Sequence, residues 1–296
     1  MTLLALVWLT VDAFARARVV VVQSDDMGPY TDPVPAFLEA VGEPALVVNL
    51  HGRRSEADAL IERLRREQEP RVVFCLGAKA AYAVREALPG VPLVYTSVVE
   101  PDRYGIGDAR AWGIAATADP ITFLSQAQAF FPDVKRIGWI QGPTVSDFRI
   151  AELRGAAEAV GVELVIESAT GPKQVRKVLD SLAPRVDAVW VPPDRDVLTA
   201  ETFRMLTDES RRRKLPLLVP TDNMVRAGGL FAVVPDPVGV GQDAARAAIA
   251  ILEDRSPGDH TVYPAQLRVA LNLQTLDLAQ IPFDKLMLDF VDVPVR

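Results

Sequence analysis

Apolar positions along this chain fall into short runs of strand length, separated by stretches with helical spacing. Residues 18–23 (RVVVVQ) form a continuous apolar strand that ends in the polar segment Ser24-Asp25-Asp26-Met27-Gly28-Pro29-Tyr30. Residues 33–41 read as a helix closed by Gly42, 45–50 as a second strand, and 56–68 as a strongly charged amphipathic helix. The run at 72–76 (VVFCL) is again of buried-strand length and rich in β-branched residues. Gly77 breaks it, 78–88 reads as a helix, and Pro89-Gly90 stops that helix. A further strand over 91–96 leads into the loop Ser97 to Tyr104, and 111–117 (AWGIAAT) is one more apolar segment. Strand–helix–strand units of this kind place their strands in parallel.

A second, similar series follows. Residues 121–131 predict a helix and 136–141 (RIGWIQ) a strand, with the loop Gly142 to Phe148 at its end. A helix to Val160, a strand over 163–168, a helix over 173–182 and a strand over 187–191 come next. The last of these opens into Pro192-Pro193-Asp194-Arg195-Asp196. A helix over 199–213, a strand over 216–219 with the loop Thr221-Asp222-Asn223, and a strand over 229–234 running into Pro235-Asp236-Pro237 complete the series. One helix (240–253) and one strand (267–273) are left over. Leftover elements after two complete series suggest a chain that crosses more than once between two α/β lobes.

The totals fit that picture. A chain of 296 residues exceeds one typical core and suits two domains. With 49% hydrophobic and 24% charged residues it reads as globular, and a net charge of −7 argues against broad nucleic-acid binding. The basic clusters at 63–66 and 211–214 fall on helices and read as solvated faces. The single cysteine, Cys75, excludes an internal disulfide and a cysteine zinc site; inside an apolar strand it reads as inert core. Residues 3–9 (LLALVWL) precede two small-x-small triplets and are read as a cleaved or truncated export signal covering 1–17. A mature N-terminal strand is the other reading, because no basic residue precedes the run and Asp12 follows it. The run is too short to span a bilayer.

The chain offers little to catalysis or to a cofactor. It carries no P-loop, no Gly-x-Gly-x-x-Gly after a strand and no Gly-x-Ser-x-Gly elbow, and His51 and His260 lack metal-ligand spacing. No cofactor, no metal and no catalytic residue is therefore expected. What the chain does carry is a set of polar loops at strand ends, most of them preceding a helix. In open parallel sheets ligands sit at those ends, where free helix N–H groups face an anion. A small zwitterion suits such loops. Ala78, Lys79 and Ser97 are candidates for its carboxylate, Glu100, Asp194 and Asp222 for its ammonium, and Tyr30 and Phe148 for apolar walls. Ser24, Ser146, Asp147 and Asp236 complete the candidate ligand-binding set. Each also has the plain reading of a helix cap or turn. Asp194 stands out because two prolines fix its direction, and its replacement by Ala is expected to remove binding with little loss of stability.

The segment LGAKAAYAVREALPGVPLVYTSVVEPD resembles the type I periplasmic substrate-binding proteins of an ABC-transporter group whose best-understood members bind aromatic amino acids such as tryptophan. VDAVWVPPDRDVLTAETFRMLTDESRRRKLPLLVPTDNMVRAGGLFAVVPDPVGVGQDAARAAIAIL and LRVALNLQTLDLAQIP extend the resemblance, which covers roughly residues 18–282. It implies an α/β fold of two Rossmann-like lobes with parallel sheets, joined by a three-stranded hinge, with ligand between them. Lobe one would comprise 18–115 plus 236–262, and lobe two 116–235 plus 263–296. It also implies a periplasmic or cell-envelope location, a small-molecule ligand, separate ABC permease and ATPase chains as partners, no nucleic acid, and a monomer. Two departures leave the ligand open, and a third concerns the tail. Ala78 stands where such proteins usually carry Thr or Ser, Pro143-Thr144-Val145-Ser146 stands where Asn-Ser is usual, and the tail after Pro282 is unlike the usual ending. A ligand-sensing protein of a signalling system with the same fold is the alternative, and a small-molecule enzyme is a third reading.

Overall fold

The computed structural model describes residues 18–66 and 70–296. The export-signal reading of 1–17 therefore falls outside the described residues. Along the chain the strands are β1 (Val19–Gln23), β2 (Ala45–Asn49), β3 (Val72–Leu76), β4 (Leu93–Thr96) and β5 (Ala111–Ile114). Then come β6 (Arg136–Gln141), β7 (Glu163–Ser168), β8 (Ala188–Trp190), β9 (Leu217–Leu218) and β10 (Phe231–Pro235). The last are β11 (Thr261–Val262), β12 (Leu267–Asn272) and β13 (Val293–Val295). They divide between two compact units. The described residues up to Ala116 join Pro235–Gln266 in the first, and Thr117–Val234 joins Leu267–Arg296 in the second.

The sheet of the first unit has the order β11-β5-β4-β3-β1-β2, and its pairings are parallel. All five residues of β1 and of β3 are buried, as expected of central parallel strands covered on both faces. Alternation along β1 sorts the two faces. Val20 and Val22 pack with Val73 and Cys75 under helices Arg54–Arg66 and Ala78–Ala87. Val19 and Val21 pack with Phe74 under helices Val34–Val41 and Pro237–Leu252. The latter two helices approach so closely that a Cβ on Gly241 would lie 2.3 Å from the Pro33 carbonyl oxygen. Cys75 is fully buried, and burial pushes its thiol far above the usual range. It is inert core.

The second unit has the order β13-β12-β10-β9-β8-β6-β7. From β10 across to β7 the pairings are parallel. One face packs Trp139, Trp190 and Phe231 under helices Pro120–Phe130, Asp147–Val160 and Leu273–Ala279. The other packs Ile140, Val189 and Val234 under Val175–Leu182 and Ala200–Arg213. Those last two helices are tied at the surface by Glu209, whose carboxylate meets Arg176, Arg212 and Arg213. The side chain is only 8% exposed because guanidinium groups cover it, not because it lies deep. The three arginines hold its carboxyl down at about 2, from an ordinary 4.5.

Three segments differ from the expectation, the first being Gly28–Thr31, a helical turn within the polar stretch expected after β1. Residues 221–223, expected as a loop, open a helix over Asp222–Arg226 because the Thr221 side chain accepts the Met224 N–H and caps it. Phe148, expected at the end of a loop, lies inside helix Asp147–Val160, whose N-cap is Ser146. The unusual tail after Pro282 is structured: a 3-10 turn at Lys285–Phe290 leads to β13, which pairs in parallel with β12.

Candidate functional site

Parallel pairing brings the carboxyl ends of β1, β2, β3 and β4 to one edge of the first sheet. The loops there are built mainly from contacts between distant residues. Ser24 is buried; its N–H donates to the Leu76 carbonyl at 2.9 Å, and its Oγ accepts the Ala80 N–H at 3.0 Å. Ser24 therefore caps the Ala78–Ala87 helix from another strand. The N–H groups of Ala78 and Lys79 stay in the first turn, where a helix offers them no internal acceptor. Gly77 holds φ at +94°, and a Cβ there would lie 2.5 Å from Ser24 Oγ and 2.7 Å from Tyr30 Cε1. The Tyr30 ring thus lies directly over a backbone that only glycine fits. Burial pushes the Tyr30 hydroxyl above its ordinary value, with Asp25 and then Tyr104 adding to the shift.

Three residues without the freedom of glycine adopt positive φ at this edge: His51 (+46°), Ser97 (+57°) and Glu100 (+54°). Each costs roughly 1–2 kcal/mol, and such strain tends to collect at functional loops. Ser97 Oγ donates to the Pro29 carbonyl at 3.0 Å, and Lys79 Nζ to the Gly52 carbonyl at 2.7 Å. Asp26 accepts from Asn49 Nδ2 at 2.8 Å and faces His51 Nδ1 at 2.9 Å. The sequence spacing gave no reason to join Asp26 with His51. The signal lies in the register of β1 on β2, which sets Gln23 beside Asn49 and so brings the two following loops together. Among the described residues, no group of three or more His, Cys, Asp or Glu is placed to hold a metal ion. Asp236 caps helix Pro237–Leu252, accepting the N–H groups of Val238 at 2.9 Å and Gly239 at 3.2 Å.

The second unit carries the other candidates. Ser146 accepts the Arg149 N–H at 3.2 Å, Asp147 follows in the first helical turn, and Phe148 is 80% exposed. Asp222 begins a short helix, accepts the Asn223 N–H at 2.9 Å and lies 3.9 Å from Arg226 Nε. Asp194 is already engaged within its own unit. It is buried, and its carboxylate accepts the N–H groups of Gly142 at 2.7 Å and Asp196 at 3.0 Å. Asp196 in turn accepts the Thr144 N–H at 3.0 Å. Together the two aspartates tie the loop after β6 to the loop after β8 within the second unit.

The chain is similar to proteins of a known family. The family model described as ABC transporter substrate binding protein matches residues 45–288. A tyrosine-binding protein of Clostridioides difficile (strain R20291) is 22% identical over 227 residues, covering 73% of this chain. The match spans 65% of that relative, just under two thirds of its length. Among solved structures, a ligand-free, open substrate binding protein with adhesive properties from Clostridium difficile superposes with a TM-score of 0.74 at 16% identity. It covers 94% of this chain and 98% of that one. An ABC domain in complex with L-Trp from Streptococcus pneumonia gives 0.64 at 18% identity, over 95% of this chain and all of the other. At such identities the structural likeness carries the fold, that of two-lobed α/β periplasmic binding proteins.

Proposed function

We infer the function from one premise: the chain belongs to the ABC transporter substrate-binding protein family. It is a non-catalytic receptor that captures a small carboxylate, an aromatic amino acid in the first instance, and delivers it to an ABC permease and its ATPase at the cell envelope. The family match over residues 45–288 carries this reading. The aromatic class is supported by the tyrosine-binding relative and by the L-Trp complex, each a statement about that protein. The candidate ligand contacts are Tyr30, Ala78, Lys79, Ser97 and Glu100 within the first unit; Asp147 and Phe148 are candidates within the second, each unit taken by itself. Ser24, Ser146, Asp194, Asp222 and Asp236 act by shaping the loops that present those groups. Transport requires that ligand bind one conformation better than another, since only a difference in affinity shifts a population.

A thermal-shift screen of amino acids and small carboxylates, followed by calorimetry, tests the reading. At ligand 100-fold above Kd the folded state gains about 2.7 kcal/mol. For a protein of this size, with an unfolding entropy of about 2.1 cal/mol/K per residue, that raises the melting midpoint by about 4–5 °C. A panel in which no aromatic amino acid moves the midpoint or releases heat would refute it.

A further inference from the structure

Helix Pro237–Leu252 turns Asp243, Arg246, Ala247 and Ala250 to one side, at the three- and four-residue spacing of a single helical face. The two alanines are too short to fill the space beside the helix, and a pocket of about 380 Å³ opens there. That volume lies in the range of small-molecule sites. Trp112 of β5 is in its lining, which continues through the linker residues Arg255 and Asp259 to Val262 of β11 and Tyr263. This part of the lining is fixed to the sheet of the first unit. The Gly113 N–H donates to the His260 carbonyl at 2.8 Å, the Ala115 N–H to the Val262 carbonyl at 2.9 Å, and the His260 ring stacks on Trp112 at 5.5 Å. None of the candidate ligand contacts of the first unit is in this lining.

Charge decides what such a pocket takes. Arg246 already faces Asp243, and Arg255 already faces Glu253. The Asp243 side chain is only 10% exposed, and its Oδ2 has no hydrogen bond among the described residues. Asp259 has neither an ion pair nor a hydrogen bond among the described residues. Three carboxylates thus stand against two guanidinium groups, and one negative charge is left over. A carboxylate oxygen shut away from water without a donor is costly, and a charged N–H donor is the group that relieves it. Val262 and Tyr263 stay 36% and 37% exposed, so apolar surface is open in the same lining. A tyrosine ring adds its own attraction for a cation.

We propose that this pocket is a second ligand site, for a small amphipathic amine. The ammonium lies between Asp243 and Asp259, and the apolar stem runs along Ala247, Ala250, Val262 and the Tyr263 ring. The site is independent of the aromatic amino-acid reading, whose contacts lie outside this lining. A carboxylate of the same size would meet the surplus negative charge and be turned away.

Titration of the native protein with hexylammonium, hexanol and hexanoate, followed by NMR at the Trp112 indole N–H, tests it. That N–H is buried with no acceptor among the described residues, so no hydrogen bond masks its response to what enters the pocket. Trp112→Phe identifies its signal among those of the four tryptophans. Hexylammonium should shift the signal saturably, hexanol only weakly and hexanoate not at all. Asp243→Asn, which keeps an oxygen for Arg246, should weaken the amine about tenfold, the usual size for a lost hydrogen bond to a charged group. Asp259→Asn, at an exposed position, should weaken it roughly two- to fivefold. Native amide shifts in β1 and β3 show that each variant is folded, and the exposed Asp259 keeps the test open if Asp243→Asn is not. The proposal is overturned by no saturable shift with hexylammonium, by hexanol or hexanoate binding as tightly, or by affinity for the amine that neither substitution lowers.

Discussion

Asp194 shows how much a single side chain decides in a strand-end loop. Its two oxygens hold the Gly142 and Asp196 N–H groups in a buried place, so Asp194→Ala leaves those donors without acceptors. The expected cost is about 2–3 kcal/mol of unfolding free energy, measured as a lower urea midpoint. An unchanged midpoint would mean the loop holds its shape by other means. Ser24 and Asp194 were both visible in the sequence as polar residues just past an apolar run. What they do was not visible, because Ser24 caps Ala80 and Asp194 holds Gly142, each more than fifty residues away along the chain. Local patterning marks such positions, but only tertiary pairing reveals whether the oxygen is already taken.

At the scale of elements, strands proved easier to read than short helices. The apolar runs of β1 and β3 were long, uninterrupted and bounded by polar residues or glycine, so their spans followed from the pattern. The helices Gly28–Thr31 and Asp222–Arg226 are too short to show a period and depend on local caps and turns. Longer helices make their own prediction. Glu209 joins Val175–Leu182 to Ala200–Arg213 through its arginines, and its carboxyl is held at about 2 against an ordinary 4.5. A depressed carboxyl stabilises the fold above its unfolded value and loses that contribution as pH falls from about 4.5 to about 2. Glu209→Gln should therefore destabilise the protein at pH 7, and the gap from the native protein should close in urea titrations repeated toward pH 2–3. A gap that stays constant with pH would show that packing, not charge, is what Glu209 supplies.

At the scale of the whole molecule, the two repeated α/β series made the fold class legible. The chain's passage between units was legible only as leftover elements. Each unit is assembled from two separate stretches, with divisions after Ala116, Val234 and Gln266. Helix Pro237–Leu252 gives the first unit Val240, Ala244, Ala245, Ala248, Ile251 and Leu252 for its core. A chain ended at Val234 should then fail to fold its first unit, seen as rapid hydrogen exchange across β1 and β3. Protected amides in those strands would show that the helix is dispensable. The same interleaving sets an order of events during synthesis. Residues 18–116 leave the ribosome long before the helix that must cover one face of their sheet, and the whole 117–234 stretch emerges in between. Residues 18–116 are therefore synthesised well before they are covered, and one apolar face of their sheet stays open until translation has passed residue 252. A chaperone that holds apolar surface would protect that interval.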